Sequence, residues 1–190
     1  MSVTYRLPAA WTRIDVPEGT GVGALVAEPA GFRLEGSEVI ADRREHFGCR
    51  FTVRADLAWV TREVEVEVLT ERGAERITLT GGGGQWTVNG RREPRLDGCL
   101  DVDVAATPLT NTLPIRRLGL EPGESRDIAV AWIDVPGLKI HRMAQRYTRL
   151  APFGGVDRYE YRGPVEERYE LTVDADGLVI DYDRFARRIR

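Results

Sequence analysis

Lysine is almost missing from this chain of 190 residues: Lys139 is the only one, and arginine supplies nearly all the positive charge. The net charge is -3, so no global basic field is available to recruit nucleic acid. Cysteine is scarce as well. Cys49 and Cys99 are far apart and lack metal-type spacing, which is the usage expected of small buried hydrophobes in a reduced protein. The two histidines, His46 and His141, stand alone, so no metal or other cofactor is implied. No apolar run approaches the roughly 18 residues a membrane helix needs, which argues against a membrane span. "MSVTYRLPAAWTRIDV" has no basic region followed by an apolar core, so it does not read as a signal peptide, and the cytoplasm is the expected location. "GTGVGA" and "GGGGQW" are glycine-rich, yet no Gly-Lys-Ser/Thr follows either, and neither reads as a phosphate loop. No Gly-x-Ser-x-Gly elbow occurs, which leaves conventional nucleophilic catalysis without a foothold. "TVDADGLVIDY" starts like a calcium loop, but Leu178, Val179 and Ile180 replace the oxygen ligands.

What is present is period-two patterning. "TREVEVEVLT" puts Val64, Val66 and Val68 on one face and Glu63, Glu65 and Glu67 on the other, a half-buried antiparallel strand. "FTVRADLAWV", "ERITLT", "DIAVAWIDV", "ERYELTV" and "LVIDY" read as further strands. Turn chemistry separates them: Asn89-Gly90 signals a type I′ hairpin, Pro122-Gly123 and Pro136-Gly137 suit type II turns, and Asp176-Gly177 closes a hairpin. Helix signals are few, about one turn at "LPIRRLGL" after Pro114 and a short amphipathic helix at "DRFARRIR". With 42% hydrophobic and 30% charged residues, the chain reads as a soluble globule, a single domain over residues 1–190. The fold class expected is mainly β, a curved antiparallel sheet or half-open β-barrel with one or two short helices.

The stretch "DVDVAATPLTNTLPIRRLGL" is neither a clean strand nor a clean helix. Pro108 and Pro114 fix backbone angles and remove two donors, while Thr107, Thr110, Asn111 and Thr112 each carry both donor and acceptor groups. The run "GCLDVDVAATPLTNTLPIRRL", with "LAWVTREVEV" before it and "QRYTRL", "RYEY" and "LTVDADGLVIDY" after it, resembles the putative glycolipid-binding family, a bacterial domain of unknown function. The resemblance runs from about Trp11 to Arg187, and its specific core is Thr107 to Leu118. It implies a curved half-barrel similar to bacterial lipoprotein-carrier proteins, with an amphipathic small molecule, a glycolipid or acyl chain, as partner.

A half-barrel with few helices is expected to leave an apolar hollow, where each buried CH₂ of an alkyl chain is worth about 0.8 kcal/mol. Thr110, Asn111, Arg116 and Gln145 are the candidate polar contacts; Trp59, Trp86 and Tyr147 are the candidate apolar or stacking contacts. Trp86, after four glycines, is expected near a rim, whereas Trp59 and Trp132 are expected in the core. The polar side chains of the crossover have a plainer reading as partners for buried backbone, since an unpaired group costs about 1–3 kcal/mol. Asp101 and Asp103 fall on one strand face, about 7 Å apart. They suit a solvated face, an ion pair with Arg62, Arg116 or Arg117, or a hydrolase acting on a sugar or lipid ester. A protein-interaction module that takes up a partner strand is a third reading, and an open edge strand leaves a homodimer open.

Overall fold

In a computed structural model, which describes residues 4–5, 7–42, 45–163 and 167–189, the chain forms one large, strongly curved sheet. Its strands are β1 (Thr4–Tyr5), β2 (Ala9–Arg13), β3 (Glu18–Glu28), β4 (Gly31–Ala41), β5 (His46–Asp56), β6 (Thr61–Thr70), β7 (Gly73–Gly82), β8 (Gln85–Val88) and β9 (Arg91–Arg92). They continue as β10 (Asp101–Val104), β11 (Ser125–Ile133), β12 (Ile140–Phe153), β13 (Val156–Arg162), β14 (Arg168–Val173), β15 (Val179–Tyr182) and β16 (Ala186–Arg188). The one α-helix described, α1, spans Thr112–Leu118.

Two antiparallel meanders, β2 to β9 and β11 to β16, join where β16 pairs with β2. β10 is the exception to the antiparallel expectation, since it adds to the edge of β11 in parallel. The sheet is not a closed barrel. The segment leading into β10 is tied back to the first meander, the Thr61 N–H donating to the Leu100 carbonyl (2.9 Å) and the Gly98 N–H to the Gly84 carbonyl (2.8 Å).

The Val/Glu alternation of β6 is realised as expected: Val64, Val66 and Val68 are buried and the three glutamates are exposed. The Asn89-Gly90 hairpin has both residues at positive φ (48° and 76°), the geometry of a type I′ turn. At Pro122-Gly123 the glycine takes φ 92°, as a type II turn requires. At Pro136-Gly137 the left-handed residue is instead Leu138, φ 50°, whose N–H donates to the Asp134 carbonyl.

Two helix and strand expectations are corrected. "DRFARRIR" is a turn followed by β16: Arg184 sits at φ 59°, which breaks a helix, and the following residues are claimed by ladders with β15 and β2. "FTVRADLAWV" is strand only to Asp56, whose carboxylate accepts from the Ala58 and Val60 N–H groups and turns the chain, leaving Trp59 on a loop.

The hollow is filled by the chain itself. β10, the crossover after it and α1 lie in the concave face, where Leu109 and Leu113 pack with Trp11, Leu34, Phe51 and Trp86 in one buried cluster. The glycines of "GTGVGA" make this approach possible, because a Cβ on Gly23 would fall 2.7 Å from Leu109 Cδ2. A second cluster, built on Tyr147, Tyr159, Tyr161, Leu171 and Tyr182, lies under the β12–β15 half together with Ile115 and Leu120. Among the described residues no helix is long and apolar enough to cross a membrane.

Candidate functional site

The Thr-Asn crossover turns inward, and much of its polarity is spent on the chain's own groups. The Thr107 hydroxyl accepts from the Leu109 N–H (3.2 Å), and the Thr112 hydroxyl donates to the Gly177 carbonyl (3.0 Å). Asn111 bridges two elements: its amide donates to the Pro108 carbonyl (3.2 Å), and its oxygen accepts from the Tyr147 hydroxyl (2.8 Å). This is the plainer reading for Thr107 and Thr112. Thr110 goes further, because its hydroxyl accepts from the Val104 N–H (3.3 Å) and donates to Asp103 Oδ1 (3.2 Å).

Asp103 is the centre of the network. Gln145 Nε2, on β12, donates to its second oxygen at 2.6 Å. Burial pushes the Asp103 carboxyl above its ordinary range, with the bonds from Gln145 and Thr110 pulling the other way. Gln145 is itself buried, and its amide oxygen has no hydrogen-bond partner. An orphaned acceptor of this kind costs about 1–3 kcal/mol unless something donates to it.

Beside this network stands a wall of aromatic rings. Tyr147 lies 5.2 Å from Tyr161, Tyr161 lies 5.9 Å from Tyr182, and Tyr182 lies 4.8 Å from Phe185, all centroid to centroid and tilted or edge-on. The alternation of β12, β13, β14 and β15 places these rings on the concave side, since Tyr147 pairs with Tyr161 and Tyr161 with Tyr169. Burial raises the Tyr161 and Tyr182 phenols above their usual range, and the Asp103 charge adds to the effect. Neither hydroxyl bonds to a described residue.

On the other face of the sheet from the tyrosine wall, a groove of about 420 Å³ is lined by Asp127, Ala144, Arg146, Arg162, Gly163 and Arg168, with Gln145 at its floor. That volume lies within the roughly 300–1,000 Å³ typical of small-molecule sites. Its arginines are partly neutralised: Arg146 pairs with Asp127 (2.6 Å), while Arg162 (2.7 Å) and Arg168 (3.6 Å) share Glu160. Among the described residues, three guanidiniums face two carboxylates there.

The fold thus gathers Thr110, Asn111, Gln145 and Tyr147 into one place and puts the other candidates elsewhere. Trp86 is not at a rim: it is 1% exposed, and its indole N–H donates to the Cys99 carbonyl (2.9 Å). Gly81 opposite it leaves room for the ring, which the four-glycine run did not suggest. Trp59 is buried as expected and stacks on Phe32 with centroids 3.8 Å apart. Trp132 is only half-buried. Arg116 sits at the exposed side of α1, its guanidinium carbon 5.2 Å from the Trp59 ring.

Asp101 is 0% exposed and forms a bidentate pair with Arg117, Nε to Oδ1 at 2.9 Å and Nη2 to Oδ2 at 2.6 Å. Both cysteines are free and buried, and burial pushes the Cys49 thiol up to about 12. Among the described residues no group of three or more His, Cys, Asp or Glu could hold a metal ion. Sequence reasoning missed Tyr182 and Glu38. Tyr182 gave a signal, as it ends the "LVIDY" strand.

The relatives agree with this architecture. A family model described as "Putative glycolipid-binding" matches residues 8–188. The crystal structure, at 1.80 Å, of a DUF1089 family protein from Pseudomonas aeruginosa aligns with a TM-score of 0.78 at 34% sequence identity, covering 89% of this chain and 92% of that one. No curated protein matches the chain. A match over nearly the whole length, supported by a similar fold at that identity, means that the chain belongs to the putative glycolipid-binding family.

Proposed function

We propose that the protein binds an amphipathic small molecule, a glycolipid or acyl conjugate, at the Asp103–Gln145 network and the tyrosine wall beside it. The observation that carries this reading is the buried Gln145 oxygen without a donor, on the same Asp103 whose charge acts on the Tyr161 and Tyr182 phenols, hydroxyls that bond to no described residue. A polyhydroxyl headgroup supplies the missing donors, and its apolar ring face suits an aromatic surface. A hydrolytic role for Asp101 and Asp103 has less support, because Asp101 is locked on Arg117 and both oxygens of Asp103 already accept hydrogen bonds.

Native mass spectrometry of the purified protein, followed by organic extraction, tests the reading. A co-purifying amphiphile is expected, retained several-fold less by Tyr161→Phe and Tyr182→Phe, which remove only hydroxyls. An extract without any amphiphile, or equal retention by both variants, would overturn it.

A further inference from the structure

A second, smaller cleft lies at the C-terminal end of α1, away from the Gln145 network. It has a volume of about 250 Å³, and Arg116, Arg149, Tyr159, Asp157 and Asp174 supply its polar lining. That is below the roughly 300–1,000 Å³ of sites for drug-sized molecules, so it suits a compact group rather than a whole amphiphile.

Its charges do not cancel. Arg149 on β12 donates to Asp157 Oδ1 (2.7 Å) and to the Leu120 carbonyl (2.8 Å), which spends Asp157. Asp174 is spent on Arg188 (2.7 Å) and on the N–H groups of Asp176 and Leu178. Arg116 is left over. No carboxylate among the described residues lies within ion-pair distance of it, and its one hydrogen bond is a long one, 3.4 Å, to the Ala175 carbonyl. The Trp59 ring under it steadies the guanidinium while leaving its edge donors free.

Two more donors converge there without partners. Tyr159 is 4% exposed, lines the cleft, and its hydroxyl bonds to no described residue. Both Arg149 and Arg116 act on that phenol, pulling its pKa down against the larger rise that burial causes. The Nε of Arg149 is buried and unpartnered.

We infer that this cleft is a binding site for a phosphate group, gripped by Arg116, Arg149 and the Tyr159 hydroxyl. Three donors from α1, β12 and β13 line the one cleft, and a tetrahedral oxyanion has an oxygen to offer each. The phosphate could belong to a free solute or to a lipid headgroup, so the test has two arms.

Inorganic phosphate is titrated into the full chain by calorimetry, and the chain is co-sedimented with phosphatidylcholine vesicles with and without phosphatidic acid. Saturable binding in at least one arm is expected. Arg116→Gln should weaken it by about tenfold or more, the scale of a lost charge-assisted hydrogen bond, and Tyr159→Phe by several-fold. Phosphate alone binding identifies a free solute; phosphatidic acid vesicles alone binding identifies a lipid headgroup. Both substitutions spare the fold, since Arg116 is exposed and Tyr159→Phe keeps the ring, and unchanged unfolding midpoints verify this. No saturable binding in either arm, or binding unaltered in both variants, overturns the site. Amphiphile retention at the Gln145 network is a separate readout, so either result can fail without the other.

Discussion

Raising the pH through neutrality should weaken this fold through one side chain, Glu38. The residue sits on β4 between Gly21 of β3 and Cys49 of β5, 1% exposed, on the concave side. Its carboxyl fills the space that Gly21 leaves, because a Cβ there would lie 1.9 Å from Oε2. Neither oxygen has a hydrogen-bond partner, although the Thr107 hydroxyl and the Arg13 charge lie near enough to favour the ionised form. Burial outweighs them and raises the pKa to about 7 from 4.5.

The folded value is above the unfolded one, so the stability tied to the bound proton is fully present below pH 4.5. It drains away as the pH climbs and is gone above about 7. At about 1.4 kcal/mol per pH unit, the loss across that window is about 3 kcal/mol. The neighbouring Cys49 thiol does not share the window, because it is held up at about 12. Urea unfolding of the wild-type chain and of Glu38→Gln, from pH 4.5 to 7.5, isolates the effect, since all other titrations cancel in the difference. The glutamine amide adds a constant offset, and the slope is the readout. The variant should gain about 3 kcal/mol on the wild type across the range. Parallel pH profiles would refute the argument.

Two further outcomes follow from groups the fold has enclosed. Trp86→Ala empties a fully buried site and leaves the Cys99 carbonyl unpaired, so guanidinium unfolding should show a loss of about 3–5 kcal/mol. A loss below about 1 kcal/mol would mean that the ring is not packed as described. Asp101→Asn removes one partner of a buried pair and should cost about 3–5 kcal/mol, recovered in part by a second change of Arg117 to Met. A double variant less stable than the single would refute the ion-pair account.

Local patterning carried most of the fold. The Val/Glu alternation of β6, the Asn89-Gly90 turn and the Asp176-Gly177 hairpin depend on neighbours in sequence, so they were legible there. "DRFARRIR" misleads because its periodicity is helical, whereas its partners in β15 and β2 lie elsewhere in the chain. The glycines of "GTGVGA" alternate at strand period, and only the packing of Leu109 against Gly23 gives that spacing its meaning. The candidate site was legible in part for the same reason. Thr110 and Asn111 belong to a conspicuous segment, and Gln145 and Tyr147 alternate on one strand. Their convergence on Asp103 is set by the parallel addition of β10 to β11, which no local pattern announces. Trp86 is expected at a rim because glycines precede it, yet only Gly83 and Gly84 lie in the turn, and Gly81 on β7 makes room for the enclosed ring.

The seam between β16 and β2 fixes when this molecule can be finished. Ala186 is matched to Arg13, so the edge of β2 is satisfied by a strand made far later in the chain. Until then the first meander carries an open flank with unpaired amides, exposed to any sticky neighbour. Native architecture therefore waits until β16 has been made, and closing so long a span makes that step a slow one.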